Sequence, residues 1–351
     1  MSASDPITLF LDIGSGTQDV LLHIPGREIE NCPKFVLPAP ARLVAARILA
    51  EPAHRPVHLT GVNMGGGFFR AVKARLDAGG RVSATPEAAL ALGDDPEPLR
   101  RMGLEITSAA PAQAAVFELA DYDPAWWDRL LADAEVPRPE RVAACAQDHG
   151  YHPGSSNRIG RFRIWERLLR DSGGHPEALI YHTVPPELTR LAALQQSIGG
   201  GPVADTGSAA VLGALYDPEI AALSRERGVA VVNVGNSHTI AFLVFQDRIW
   251  GVFEHHTGML ADEALWETLA RFRRGALPYA EVFDSGGHGA LTLDLPEAAQ
   301  GFAETALLGP QRGRLAGRGA RQPAPGGDMM LAGCFGLLHG LSLVEQAPDK
   351  A

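Results

Sequence analysis

The stretch Leu9-Phe-Leu-Asp-Ile-Gly-Ser-Gly-Thr-Gln-Asp-Val-Leu-Leu22 decides how the chain is read. An apolar run ends near Asp12, turns through Gly14, Ser15, Gly16 and Thr17, passes Gln18 and Asp19, and resumes as Val20-Leu-Leu-His23. This pattern predicts a buried strand, a Gly-rich hairpin turn and a returning strand. Glycines in the turn let backbone N–H groups approach a phosphate closely, and Thr17 adds a hydroxyl donor. Asp12, at the strand end, can hold a magnesium ion through water. An ordinary hairpin accounts for the same letters equally well, because short Gly patterns are weak motifs.

A second copy favours the phosphate reading. In Gly228-Val-Ala-Val-Val-Asn-Val-Gly-Asn-Ser-His-Thr-Ile-Ala-Phe-Leu-Val-Phe245, an apolar strand ends at Asn233. The turn is Gly235, Asn236, Ser237, His238 and Thr239, and a second apolar strand follows. Two similar hairpins, one near the start of each half, predict an internally duplicated fold clasping one nucleotide between its halves.

With both hairpins in place, the chain resembles the superfamily of actin, sugar kinases and heat-shock chaperone ATPases. The resemblance implies a duplicated ribonuclease H-like α/β fold, the actin-like ATPase fold, with two lobes around a nucleotide cleft. The family order is first phosphate hairpin, small-residue connecting helix, second hairpin, adenosine loop and second connecting helix. Here the first connecting helix is matched by Ala204-Asp-Thr-Gly-Ser-Ala-Ala-Val-Leu-Gly-Ala-Leu215, and the second by Asp328-Met-Met-Leu-Ala-Gly-Cys-Phe-Gly-Leu-Leu-His-Gly340. Small residues in each would let two helices cross closely. Asp205 falls where the chaperone ATPases carry an acidic residue near a metal-bound water. The adenosine loop has two candidates, Gly309-Pro310 after a short apolar strand and Gly326-Gly327 before the last helix. The implied lobes are 1–215, with an insertion at about 80–140, and 216–351, whose last helix at about 328–345 packs back toward the cleft.

One position departs from that pattern. The second hairpin of the superfamily usually opens with Asp, and here it is Asn233. An amide can hydrogen-bond a metal-bound water but brings no charge, which argues against fast hydrolysis. More narrowly, the chain resembles a prokaryotic family with an Asp-Ile-Gly-x-Gly-Thr-Gln-Asp signature, some of whose members carry the label of a pyruvate formate-lyase activating enzyme. Such activators hold an iron–sulfur cluster on closely spaced cysteines. Cys32, Cys145 and Cys334 lie far apart in sequence, so the residues argue against that label.

Composition bounds the remaining possibilities. A chain of 351 residues, 46% hydrophobic, is long enough for two lobes with separate cores. The net charge of −10 disfavours non-specific attraction to nucleic acid. Three scattered cysteines give neither a disulfide framework nor a zinc spacing. The N-terminus is polar and lacks the regions of a signal peptide. The longest apolar runs fall short of a membrane span, so the expected location is cytoplasmic.

Along the chain, Ile29 to Leu37 is expected as a strand, Pro38 to Ala50 as a helix, and Val57 to Val62 as a strand opening into Gly65-Gly-Gly67. That triplet reads first as a turn into the helix Phe68 to Leu76. Residues 80–140 read as a Pro- and Ala-rich insertion with short helices, anchored by Trp126 and Trp127. The strand Arg141 to Ala146 discharges into the densest polar cluster of the chain, Gln147 to Arg158. There Asp148 and His149 are candidates for acid/base work, and Asn157 and Arg158 for holding an anionic acceptor. Turn and capping roles account for Asp148, Asn157 and Arg158 as well. His255 and His256 are adjacent on a strand, hence on opposite faces and poorly placed to share a metal. Arg312, Arg314, Arg318 and Arg321 are expected in a solvated loop.

The absence of a Walker-type loop and of a third Gly at dinucleotide spacing sets aside two common nucleotide folds. The leading expectation is an ATP- and Mg2+-binding protein, a slow ATPase or switch acting on a partner enzyme. The ligand would sit against Asp12, Thr17 and Thr239, with Asp205 or Asp148 at the terminal phosphate. The alternatives are a small-molecule kinase using the 147–158 cluster as its acceptor site, and a nucleotide-binding protein without turnover.

Overall fold

The computed structural model describes residues 5–346. Residues 1–4 and 347–351 lie outside the described residues, and with them most of the polar N-terminal stretch read above. The described residues are mixed α/β, with three sheets and helices packed against them.

Strands β1 (Thr8–Ile13) and β2 (Thr17–His23) form the expected first hairpin, and β3 (Lys34–Pro38) continues it antiparallel. The expected strand from Ile29 is shorter than its apolar letters suggest. Ile29–Asn31 forms a 3-10 turn, and the pairing with β2 begins only beyond Pro33. A helix, Pro40–Ala50, leads to β4 (Val57–Gly61).

The region read as an insertion with short helices contains a helix at Pro124–Asp133 and also strands that the reading did not expect. β4 pairs in parallel with β5 (Val82–Ala84) and β7 (Ala115–Leu119), and β5 with β6 (Glu105–Ile106). They form a separate four-stranded sheet in the order β6-β5-β4-β7. Its unit therefore begins before residue 80, and helices are only part of it. Two- to five-residue strands between Pro- and Gly-containing turns carry too little periodicity to be seen in sequence. Trp127 is buried and stacks on Tyr122, consistent with an anchoring role.

The chain then returns to the first sheet as β8 (Arg141–Ala146), which lies parallel to β1. β9 (Ile180–Tyr181) and β10 (Val203–Asp205) complete the order β3-β2-β1-β8-β10-β9. The second hairpin is β11 (Val229–Val234) and β12 (His238–Phe245), extended by β13 (Arg248–His256) and β14 (Gly289–Thr292). β15 (Glu304–Leu308) pairs in parallel with β11, giving the order β14-β13-β12-β11-β15. In both sheets an antiparallel meander places its first strand beside a later parallel one.

Two helices rich in small residues cross between these sheets and the cavity described below. Thr206–Tyr216 packs against Ala332–Gln346, which begins after a short 3-10 turn at Met329–Leu331. A β-carbon on Gly213 would run into the carbonyl of Ala332, and one on Gly336 into that of Ala209. Those two glycines therefore allow the backbone approach that the sequence predicts. One apolar core runs from Leu11 and Val20 through Phe162, Trp165 and Val211 to Val231 and Phe242, joining the faces of the first two larger sheets. Phe10, Cys145, Cys334 and Phe335 belong to a second core beneath the Ala332–Gln346 helix.

Candidate functional site

The two hairpin turns have the same hydrogen bond. Gly14 N–H donates to the Thr17 carbonyl at 2.9 Å, and Gly235 N–H to that of His238 at 3.0 Å. In the paired strands Asp12 stands opposite Asp19, and Asn233 opposite Ile240. By this register Asn233 corresponds to Asp12, His238 to Thr17, and Thr239 to Gln18. Both turns open onto one cavity of about 470 Å³, lined from the first by Asp12, Gly14, Ser15 and Thr17 and from the second by Asn233, Gly235, Asn236, Ser237 and His238. Gly16 sits where the turns touch, since a β-carbon there would collide with the Asn236 side chain.

Strand alternation removes two expected residues from the cavity wall. Gln18 is buried on the opposite face of β2 and donates to the Pro38 carbonyl at 3.2 Å. Thr239 is buried with its hydroxyl 3.0 Å from that of Thr257, so it is not the counterpart of Thr17.

Register also brings in a residue that the sequence reading passed over. Asp19 lines the cavity opposite Asp12, and its Oδ1 is buried without a hydrogen-bond partner. Asp12 Oδ1 accepts from the Thr206 hydroxyl at 3.1 Å and the Cys145 thiol at 3.3 Å. Burial, above all, raises both carboxyl pKa values, with their mutual repulsion adding to the effect at Asp19. Asp12 moves from 3.8 to about 6 and Asp19 from 3.8 to about 8. The two carboxylates therefore hold a proton or cation more readily than exposed aspartates. Gly333, at the start of the last helix, leaves no room for a β-carbon beside Asp12.

The polar cluster after β8 divides into residues that face the cavity and residues that hold the frame. Gln147, Asp148, His149 and Asn157 line the cavity. Asp148 nevertheless accepts from Gly150 N–H at 2.7 Å through Oδ1 and from Leu191 N–H at 3.0 Å through Oδ2. Burial raises its pKa, and those two backbone bonds oppose the rise. This is the turn-and-cap geometry. Arg158 lies one step around the helix Asn157–Arg170 and does not line the cavity. Its Nη1 donates to the carbonyls of Phe283 and Gly287 at 2.8 and 2.7 Å, and its guanidinium stacks on Phe283.

Asp205 caps the Thr206–Tyr216 helix and is absent from the cavity lining. Its carboxylate is gripped by both terminal nitrogens of Arg161, Nη2 at 3.0 Å. Arg161 Nε in turn donates to Glu254 Oε2 at 3.1 Å, and Trp165 Nε1 to the same oxygen at 3.0 Å. Burial would raise the Glu254 pKa, but Arg161 holds this carboxyl well below the usual range. The arginine that reaches the cavity from the other side, Arg190, is paired with Asp121 at 2.7 Å. Both arginines lining the cavity are thus committed to carboxylates.

Of the two adenosine-loop candidates, Gly309-Pro310 reaches the cavity, beside Leu308, Met329 and Met330. Gly326 instead packs under the Phe335 ring. Met64 to Gly67 also line the wall, with Gly65 N–H donating to Asp121 Oδ1 at 3.2 Å, so the Gly triplet does more than turn the chain. The Arg-rich segment is fastened to its own chain. Arg314 donates to Asp262, Thr257 and Leu260, Arg318 to Glu263, and Arg321 to Glu219 and Glu304.

The sequence carried a usable signal for Asp19, because a short turn through Gly14 to Thr17 fixes the register that places it opposite Asp12. Glu254, a charged residue closing the apolar run Ile249 to Phe253, signals a buried partner without naming it, whereas Arg161 sits among other charged residues and carried no such signal. His288 carried no signal. His149, His238 and His288 come together from three distant segments, and His256 joins them from β13. His255 points away, to Ser285, as strand alternation requires.

All three cysteines are buried and free. Cys145 bonds Asp12, while Cys334 donates to the carbonyls of Phe10 and Asp19. Among the described residues no helix is long and apolar enough to cross a membrane. No curated protein matches the chain. Among solved structures it is similar to a chain of the "PilM-PilN type IV pilus biogenesis complex", at 13% identity over 97% of this chain and 99% of that one, with a TM-score of 0.34. The family model described as "Putative pyruvate format-lyase activating enzyme (DUF1786)" matches residues 64–314, and the chain belongs to that family.

Proposed function

We propose that the cavity binds a nucleoside triphosphate together with magnesium, and that the protein is a slow ATPase or nucleotide switch of the actin-like kind. The observation that carries this reading is the pair of equivalent Gly turns facing one cavity, with the Asp12–Asp19 pair at the base of the first. The fold it requires is duplicated and ribonuclease H-like, with lobes at 1–215 and 216–351. The matching strand orders β3-β2-β1-β8 and β13-β12-β11-β15 support that division.

The residues present fit a metal-accompanied phosphate. The half-buried Asp12, the buried Asp19 and the unpartnered Asp19 Oδ1 suit a cation or its water shell. The lining arginines are already neutralised by Asp121, Asp205 and Glu254, so a bare polyphosphate would meet a net acidic wall. Bound magnesium would supply the charge neutralisation that phosphate needs there. The chain's own part is to orient the phosphates with the N–H groups of the turns and the Thr17 hydroxyl, and to place the base near Gly309, Pro310 and Met330.

Two features favour a switch over a fast enzyme. Asn233 stands where the first hairpin has Asp12, so the second turn adds no carboxylate. Asp148 and Asp205 are engaged in capping and ion pairing, which leaves neither poised as a base. The same engagement of Asp148 and Arg158 lowers the claim of the kinase alternative. Gly16 lies against the Asn236 side chain, so a ligand entering between the turns would have to part them, and that displacement is how binding would be signalled to a partner. The activating-enzyme description of the family would need three thiols converging on a cluster, whereas here Cys145 and Cys334 share a core but are bonded to Asp12 and to the backbone carbonyls of Phe10 and Asp19.

Calorimetric titration with magnesium-ATP, beside Asp12→Ala and a chelator control, tests the reading. Micromolar binding that depends on magnesium and on Asp12 supports it, and phosphate release then separates turnover from binding alone. A folded wild-type protein that takes up no nucleotide overturns it.

A further inference from the structure

A second feature of the cavity wall belongs to neither turn chemistry nor the acidic pair. His149 follows β8, His238 opens β12, and His288 precedes β14. One ring nitrogen from each lies within 4.8 Å of those of the other two. Nitrogens bound about 2.0–2.1 Å from a tetrahedral ion stand about 3.4 Å apart, so modest ring rotations bring all three into bonding range. His288 is 1% exposed and its Nδ1 has no hydrogen-bond partner; His238 Nε2 is likewise buried and unpartnered. Such atoms are costly to bury unless something binds them.

The cluster is flanked by Glu254, fully buried, paired to Arg161 and on the same face of β13 as His256, whose ring lies 4.6 Å from His238 and 5.1 Å from His288. Imidazole ligates a metal in its neutral form, through the ring nitrogen that carries no proton, and the unpartnered nitrogens of His238 and His288 are available for that. The donor set also discriminates. Three imidazoles suit a zinc-like first-row ion, whereas magnesium prefers oxygen and would choose the Asp12–Asp19 side.

We infer that His149, His238 and His288 form a binding site for a divalent transition metal of the zinc class, with its open coordination position toward the cavity. His149 and His238 line the cavity, so a water in that position would face whatever the cavity holds. Three protein ligands with an open position is the arrangement of catalytic rather than structural zinc sites.

The test uses full-length protein freed of metal with a chelator and titrated with Zn2+ by calorimetry. Co2+ serves as the optical probe, since a tetrahedral imidazole site gives visible absorption. One tight equivalent and that absorption are expected. His288→Gln and His149→Gln should each weaken binding by at least about 100-fold, given that loss of even outer-shell partners costs 10–100-fold. His255→Gln, on the opposite face, should leave it unchanged. Asp12→Ala should also keep the Zn2+ equivalent, so failure of the nucleotide reading and failure of this one are separable. His256→Gln retains the ion if the fourth position is open, and its loss would overturn that arrangement. Thermal melting checks that each variant folds. Weak, multiple equivalents in the wild type, or undiminished binding in a folded His288→Gln, would overturn the site.

Discussion

Arg161 Nε donates to Glu254 Oε2 at 3.1 Å, inside a core where both side chains are about 1% exposed. The same guanidinium grips Asp205, so one arginine on the Asn157–Arg170 helix joins the end of β10 to the last residues of β13. Arg161→Met should therefore destabilise the protein by about 3–5 kcal/mol, because two buried carboxylates lose their partner. Arg161→Lys should recover little of this, since an ammonium cannot reproduce the fork. Denaturant unfolding checks both, and a Lys variant as stable as wild type would mean that charge alone matters.

Gly336 approaches the backbone of the Thr206–Tyr216 helix so closely that a methyl group would strike the Ala209 carbonyl and the Gly213 nitrogen. Backbone atoms held in a helix cannot turn aside. Gly336→Ala should lower stability by about 1–3 kcal/mol, the usual cost of overpacking, in spite of its better helix propensity. A melting temperature equal to that of wild type would show that the helix crossing is looser than it stands here.

Asp12 and Asp19 make stability depend on pH in an unusual direction. Their folded pKa values, about 6 and about 8, exceed the ordinary 3.8, so the folded state holds protons that the unfolded chain releases. The contribution is fully present below about pH 4 and is lost as pH rises through 6 and then 8. In chelator-treated protein, Asp19→Asn should flatten the decline between pH 5 and 8, a change on the order of a few kcal/mol at the alkaline end. Denaturation curves across that range decide it; an unchanged slope would place the proton elsewhere.

Asp148 should behave as a brace. Removing the acceptor of the Gly150 and Leu191 N–H groups with Asp148→Ala should cost about 1–3 kcal/mol. Asp148→Asn keeps one acceptor and should retain most nucleotide affinity and turnover. Loss of turnover in Asp148→Asn at unchanged stability and affinity would restore the aspartate as a chemical group.

Thr239 and Thr17 should part company. Thr239→Val removes a bond to Thr257 on the far side of β12 and should leave nucleotide affinity within about twofold. Thr17→Val, on the cavity wall, should weaken it about tenfold, the scale of one hydrogen bond. Equal effects would mean that the register does not separate their roles.

What the sequence determined by itself was local. Alternation and Gly placement located both hairpins, small residues marked the two crossing helices, and the Arg141–Ala146 strand was read to its boundaries. Those signals are periodic and short-range, and they survive any packing. The face that each residue presents was less secure. Gln18 and Thr239 lie one step from the cavity-lining Thr17 and His238, and a single step along a strand reverses the side chain.

Tertiary structure decided what long-range contact alone can decide. It drew short strands of the Pro-rich region 80–140 into a parallel sheet with the expected strand at Val57–Gly61, because strands of two to five residues are stabilised by neighbours rather than by their own pattern. It spent Asp148, Asp205 and Arg158 on caps and ion pairs, while placing Asp19 opposite Asp12. It also gathered His149, His238 and His288 from three separate segments into one cluster. Burial likewise raised the Asp12 and Asp19 pKa values, since desolvation exists only once the chain has closed around them.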